Sequence, residues 1–219
     1  MTDSYRHKGL RKALVSELRT KGITDEGVLQ AFMDIPRHYF MDPAFADWAY
    51  KNSPFKIEAN QTISQPYTVA LMTSLLNVQV GDKILEIGTG SGYQACVLSY
   101  LHAKIYTIER QQKLYEKTSK FISEIGFADV RCFLGDGYQG LPRFAPFDKI
   151  IVTAGGSTLP VRLISQLAIG GTLIMPKGTE DNYIMTRIIK KSETELVSED
   201  HGIFKFVPFI PGVNGRATV

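Results

Sequence analysis

Along the first third of the chain, apolar positions recur at helical spacing. Leu10, Leu14 and Leu18 fall four residues apart, with Ala13 and Val15 beside them, and draw one stripe on a helix. Gly22 ends that helix, and Thr24 or Asp25 caps a second one through Val28, Leu29, Phe32 and Met33. Pro36, Pro43 and Pro54 then punctuate an aromatic-rich connector, PRHYFMDPAFADWAYKNSPF. A third helix is expected from Pro66, a residue tolerated in a first turn, to Leu76.

After Gly81 the rhythm changes. Short apolar runs at 83–87, 104–109, 130–134, 149–153 and 172–175 alternate with amphipathic stretches at 92–101, 112–125 and 160–167. Runs such as KIIVT and TLIM suit strands covered on both faces. The alternation predicts an α/β fold with a doubly wound, mostly parallel sheet. Residues 183–190 and 203–209 add two further strands, joined by the charged turn SETELVSEDHG, for seven in all. These two are expected to pair antiparallel at one edge, with the final PGVNGRATV loose. The chain reads as one domain, with a helical segment at 1–80 that serves as a substrate lid and an α/β core at 81–219.

Composition narrows the function. Of 219 residues 44% are apolar, enough for a contiguous core and too many for a disordered chain. A net charge of +3 is a mild excess, not the basic stripe of a nucleic-acid binder. Cys96 and Cys132 share no metal-like spacing and read as reduced, buried thiols. The first twenty residues lack the apolar core of a secretory signal, and residues 59–81 are too interrupted by polar groups for a membrane span. The expectation is a soluble cytoplasmic protein with neither a membrane nor a nucleic acid as partner.

The candidate chemistry begins where the first core strand runs into ILEIGTGSGYQ. Gly88, Gly90 and Gly92 between a strand and a helix expose backbone N–H groups and allow close approach of a nucleoside. The spacing G-x-G-x-G differs from the dinucleotide fingerprint G-x-G-x-x-G. Glu86, two residues before the first glycine, would repel a pyrophosphate but suits a ligand carrying an ammonium group. Glu109 ends the second core strand, where a carboxylate can accept both ribose hydroxyls. Asp136, in the LGDG loop, faces an adenine amino group or caps a turn. A ligand with ribose, adenine and a cationic amine but no phosphate is S-adenosyl-L-methionine, with a nicotinamide nucleotide as the rival. Upstream, Ser64 in NQTISQPYTVALM could cap the third helix by accepting from the Tyr67 N–H, and His38 in PRHYF reads as a packed, hydrogen-bonded histidine.

QTISQPYTVALM, then GDKILEIGTGSGYQ, IYTIER, GDG and APFDKIIVTA, resembles the protein-L-isoaspartate O-methyltransferase family, in order from PRHYF at 36–40 to FVPFIPG at 206–212. The resemblance implies a class I, Rossmann-like S-adenosyl-L-methionine-dependent methyltransferase fold. It implies methyl transfer to the free carboxylate of isoaspartyl residues in damaged proteins, whose ester then collapses to a succinimide. It places Ser64 at the catalytic position. Gln61, Thr62 and Ile63 would line the cofactor site, together with Glu86, Gly88, Gly90, Ser91, Gly92, Glu109, Asp136 and Gly137. No metal is implied, and a monomer is expected. Two stretches depart from the family pattern: Lys56, Ile57, Glu58, Ala59 and Asn60 replace a glycine-rich approach, and Ala154, Gly155, Gly156 and Ser157 replace a run of alanines. The rival functions are methylation of another small carboxylate, a non-catalytic cofactor-binding adaptor, and a nicotinamide dehydrogenase. Methylation of nucleic-acid amines is disfavoured, because AGGS stands where such enzymes carry an Asn/Asp-Pro-Pro-aromatic tetrapeptide.

Overall fold

A computed structural model describes residues 2–57, 61–179 and 182–215. Helix α1 (Tyr5–Thr20) opens where the Ser4 hydroxyl accepts the His7 N–H (3.2 Å), and closes before Gly22, whose φ of +94° continues no helix. Helix α2 (Glu26–Asp34) is capped by Asp25, which accepts from Val28 N–H at 3.0 Å. The proline-punctuated connector forms two 3-10 helices, Arg37–Phe40 and Pro43–Tyr50. A short antiparallel pair, β1 (Phe55–Lys56) with β2 (Thr62–Ile63), leads into α3 (Pro66–Leu76).

The rest is strand and helix in alternation: β3 (Lys83–Ile87), α4 (Tyr93–Tyr100), β4 (Lys104–Glu109), α5 (Gln112–Glu124), β5 (Arg131–Leu134), β6 (Phe147–Val152), α6 (Val161–Gln166), β7 (Leu167–Thr179), β8 (Asn182–Lys190) and β9 (Leu196–Phe204). The sheet order is β5-β4-β3-β6-β7-β8-β9. Pairs from β5 through β7 are parallel, and β7–β8 and β8–β9 are antiparallel. From β3 the chain winds outward to β4 and β5, then returns to add β6 on the opposite side. That reversal opens a crevice at the carboxyl ends of β3 and β6, where ligands bind in sheets of this kind.

Alternation along the strands decides which layer covers which face. Ile84, Ile105, Ile151 and Ile174 point into a core shared with Leu18, Phe32, Met72, Leu76 and Leu98 of the N-terminal helices and α4. Leu85, Ile87, Ile150 and Leu173 point the other way, onto Phe147, Leu163 of α6 and neighbouring aromatics. Each such side chain contributes about 1.5–3 kcal/mol by leaving water. The segment before residue 81 thus packs into the same core as the sheet.

The structure corrects three expectations. SETELVSEDHG is not a turn: only its first residues turn, and Leu196 onward is β9. As the edge strand β9 is exposed along nearly its whole length, so it carries no apolar rhythm. Residues 205–209 lie beyond that strand. Of PGVNGRATV, residues 216–219 lie outside the described residues, and the part before them is tied down: Gln112 N–H donates to Asn214 O (3.1 Å) and Asn214 N–H to Arg110 O (2.8 Å). Finally, β7 is far longer than 172–175, since Gly170, Gly171 and Pro176 lie within the strand rather than ending it.

Gly92 shows how tightly α4 meets α5. Its φ is +84°, and a Cβ there would lie 2.6 Å from Ile122 Cγ2 and 2.9 Å from Thr118 Cγ2. Gly92→Ala is therefore expected to lose about 2–4 kcal/mol from backbone strain plus overpacking. Urea denaturation should show a lower midpoint at unchanged slope.

Candidate functional site

The glycine turn after β3 is held by a hydroxyl from β6's carboxyl end. Thr153 Oγ1 lies 2.9 Å from Ile87 O and 3.0 Å from Gly88 O, sharing its proton between two carbonyls. A Cβ at residue 88 would fall 2.5 Å from that oxygen, and the φ of +96° is likewise a glycine's. Gly90 follows with φ +54° and open space where a side chain would stand. Gly90 N–H donates to Glu109 Oε2 (3.0 Å) and Gln111 N–H to Glu109 Oε1 (2.9 Å). Glu109 is thus fixed at the end of β4 with both oxygens oriented, each retaining a further lone pair.

These groups line one cleft. Gln61, Thr62, Ile63 and Ser64 form one wall, Gly88, Gly90, Ser91 and Glu109 another, and Gly137 completes the set of predicted residues there. Thr89, Tyr93, Thr153 and residues 207–210 also face it. Three predicted residues stand elsewhere. Gly92 is buried against α5, and Asp136 caps its own turn by accepting from Tyr138 N–H (2.9 Å). Glu86 is wholly buried within the sheet and does not reach the cleft wall. It connects to the loop indirectly, accepting from Thr107 Oγ1 (2.5 Å), which in turn shares a 2.7 Å hydrogen bond with the cleft-lining Thr89. Burial pushes the Glu86 carboxyl up to about 8, against the Thr107 hydrogen bond and with the charge of Glu109 adding to the rise.

Ser64 does not cap α3. Tyr67 N–H donates instead to Asn52 Oδ1 (3.0 Å), a residue 15 positions upstream. The Ser64 hydroxyl takes no hydrogen bond within the described residues, and it lines both the glycine cleft and an adjoining one. That second cleft is bounded by Pro54, Gln65, Asn182, Phe204 and Lys205, and shares Thr62, Thr153 and Val207 with the first. Beneath Ser64, the buried Arg37 donates through Nη2 to Ser64 O (2.6 Å) and through Nε to Ala49 O (3.0 Å). Its guanidinium carbon lies 4.6 Å from the centre of the Tyr93 ring.

Neither Arg37 nor Asn52 was singled out in the sequence. Arg37 sits inside PRHYF, where an arginine beside an aromatic run is the available signal; Asn52 offers none. His38 is packed and hydrogen-bonded as expected, its Nδ1 2.6 Å from Tyr50 Oη. Cys96 and Cys132 are free thiols, Cys96 buried and Cys132 partly so, both pushed up by burial and by the Glu86 charge, Cys132 to about 12. Of the departures from the family pattern, Glu58, Ala59 and Asn60 lie outside the described residues. Gly155 has a packing reason: a Cβ would run into the Tyr183 ring, and the backbone there takes the C-terminal segment, Gly155 N–H donating to Val207 O (2.8 Å) and Phe209 N–H to Gly155 O (2.7 Å).

The family model for protein-L-isoaspartate(D-aspartate) O-methyltransferase matches residues 9–214. A protein-L-isoaspartate O-methyltransferase of Christiangramia forsetii is 52% identical over 98% of this chain and all of its own length. One of Flavobacterium psychrophilum is 51% identical with the same coverage. Among solved structures, a protein-L-isoaspartate O-methyltransferase superposes with a TM-score of 0.81 at 29% identity, covering 90% of this chain and 65% of that one. A Plasmodium falciparum structure assigned to the same enzyme class, in complex with S-adenosyl-L-homocysteine, gives 0.79 at 24% identity over 91% and 98%, a likeness of fold. Among the described residues no helix is long and apolar enough to cross a membrane.

Glu86 generates a test of the buried chain beneath the glycine loop. Its folded value, about 8, stands above the ordinary 4.5, so the unfolded chain releases this proton first. Stability from this group is therefore full below about pH 4.5 and declines as pH rises towards about 8. Glu86→Gln keeps the hydrogen bond from Thr107 and removes the ionisation. Its Tm relative to the parent should climb across that interval and be least favourable below it, measured by thermal melts in matched buffers.

Proposed function

Because the chain belongs to the protein-L-isoaspartate(D-aspartate) O-methyltransferase family, we propose that it moves a methyl group from S-adenosyl-L-methionine to the free carboxylate of isoaspartyl residues in damaged proteins. The observation that carries this reading is the position of Ser64, an unbonded hydroxyl on the wall common to two clefts. One cleft has the chemistry of an adenosyl site and the other that of an acceptor groove.

The residues of the first cleft fit such a ligand. Gly90 leaves room for a nucleoside, and Glu109 presents oriented lone pairs to vicinal hydroxyls. Gln61, Thr62, Ile63, Ser91 and Gly137 enclose the remainder. Gly88 and Gly92 serve the same site by shaping the turn and docking the helix. Asp136 acts through its turn, and Glu86 through Thr107 and Thr89. When bound, S-adenosyl-L-methionine supplies a methyl carbon made electrophilic by its sulfonium.

The protein's share is binding, orientation and exclusion of water. A carboxylate acceptor is already ionised at neutral pH, so no general base is required, and the clefts need no His–Asp or Cys–His pair. The Ser64 hydroxyl is free to donate a charge-assisted hydrogen bond that fixes the acceptor oxygen. Holding two reactants in register is worth roughly 7–11 kcal/mol of barrier, and a dehydrated carboxylate is the stronger nucleophile. The described residues before 81 pack on the sheet through Leu18, Phe32, Met72 and Leu76 and contribute Ser64, which supports the role of the 1–80 segment as the acceptor-side lid. Described residues of a single chain line both clefts, which is compatible with a monomer. A reducing cytoplasmic setting suits its two free thiols.

Ser64→Ala is expected to lower kcat/KM for an isoaspartyl peptide by the worth of one hydrogen bond to a charge, about 1.5–3 kcal/mol. Affinity for S-adenosyl-L-homocysteine, measured by calorimetry, should stay near the parent value; its abolition in a folded variant would contradict this division of roles. Radiolabelled transfer to an isoaspartyl peptide and its normal aspartyl twin tests the function itself. Methylation of the first alone is expected, and equal or absent activity on both rejects the repair reading.

A further inference from the structure

Outside the linings of the two clefts, the segment before α1, its first turn and the first 3-10 helix bring Asp3, His7 and His38 together, each offering a ligand atom within 4.8 Å of the others. The imidazoles lie against one another with ring centroids 3.9 Å apart and planes tilted by 32°. His38 is 4% exposed. The polar atoms His7 Nδ1 and His38 Nε2 are both buried and have no hydrogen-bond partner. A buried polar nitrogen without a partner is costly; the Thr2 backbone lies near His38 without making a full hydrogen bond, and nothing meets His7 Nδ1, so the pair can take an occupant.

The outer nitrogens indicate which occupant. His38 Nδ1 lies 2.6 Å from Tyr50 Oη, and His7 Nε2 faces Asp47 Oδ1 at 3.8 Å. With the ring protons on these outer atoms, the two inner nitrogens are bare lone pairs. The Asp3 carboxylate adds acceptor oxygens and no proton. A water molecule has only two protons to offer three lone-pair donors, whereas a cation satisfies all of them. His38, held by the Tyr50 hydroxyl through its outer nitrogen, has the arrangement of a metal-ligating histidine. We propose that Asp3, His7 and His38 form a binding site for a divalent transition-metal ion of the zinc type.

The neighbouring charges are compatible with this. Arg11 donates to Asp3 through Nη1 (3.2 Å) and Nη2 (2.9 Å), and to Tyr50 Oη at 3.3 Å. Each carboxylate oxygen keeps a second acceptor direction, so Asp3 can bridge the guanidinium and a metal ion. The charge of Arg11 reduces affinity, and that of Asp47 opposes it. Ligand atoms around tetrahedral zinc stand about 3.3 Å apart. Closing from the observed spacing falls to Asp3 and His7, whose side chains are 20% and 17% exposed, while buried His38 stays in place. Such an ion would staple the chain before α1 to the segment that carries Arg37, and it is independent of the methyl-transfer reading.

The test uses the full-length protein stripped with a chelator and then dialysed against zinc chloride. Metal analysis should find one zinc per chain, with Tm raised over the stripped protein. His7→Gln and Asp3→Asn should each lose both the zinc and the Tm rise, with circular dichroism and methyl-transfer activity unchanged. No retained zinc in the parent would overturn the proposal and leave the pocket to water. Zinc retained undiminished by either variant would overturn it too, and because Asp3 lies before α1 and its cap, its variant decides the matter should His7→Gln fold poorly.

Discussion

The Thr153 hydroxyl occupies the space that a side chain at residue 88 would need, and the cleft depends on that exclusion. Two parallel strands on either side of the sheet's reversal point end together, and the hydroxyl of one closes onto the carbonyls of the other. The glycine turn is thereby forced away from β6 and towards β4, where Gly90 N–H meets Glu109. A single contact thus orders the loop, orients the acid and leaves the crevice open. Gly92 then lets α4 start against α5, so the loop is held at both ends, by Thr153 at the strand and by Ile122 and Thr118 at the helix.

The parts of this plan that repeat a period were legible in the sequence. Strands β3 and β4 were read to the residue, as were the bounds of α3, because buried parallel strands and a proline-started helix leave strong patterns. Strand β9 was not, since an edge strand exposed on both faces has no apolar face to display. The glycine loop and Glu109 could be named from spacing alone. Glu86 and Asp136 were legible as acids at strand ends, but spacing says nothing about whether a carboxylate turns outward to a ligand or inward to Thr107 or its own turn. That choice is made by packing.

Ser64 illustrates the same limit from the other side. Its sequence context offered a helix cap, a role for which serine is well suited. Asn52 takes that role from a distance of 15 residues, and Arg37 takes the Ser64 carbonyl from 27 residues away. Both come from the irregular connector, which carries no periodicity and looked like spacer. Its function is to satisfy the backbone around Ser64 so completely that the hydroxyl has no local partner left.

Glu86 and Arg37, both buried on this side of the sheet, respond to burial in unequal measure. Burial lifts Glu86 to about 8, so at neutral pH it is mostly a neutral acid, whereas Arg37 falls only to about 10 and keeps its charge. Burying a guanidinium without a carboxylate is expensive, and Arg37 offsets this only with two carbonyls and the face of Tyr93. An arginine paired with an acid would have been cheaper, and would have cancelled its own field. Left unpaired, it places net positive potential directly behind the Ser64 backbone, where water cannot screen it as it does at a surface. A segment built this way favours an anion on its open side, which is the charge a carboxylate acceptor brings. Arg37, buried with no counter-ion among the described residues, thus sets a fixed positive charge behind a wall common to the two clefts, a field that lowers the energy of an anion on the open side.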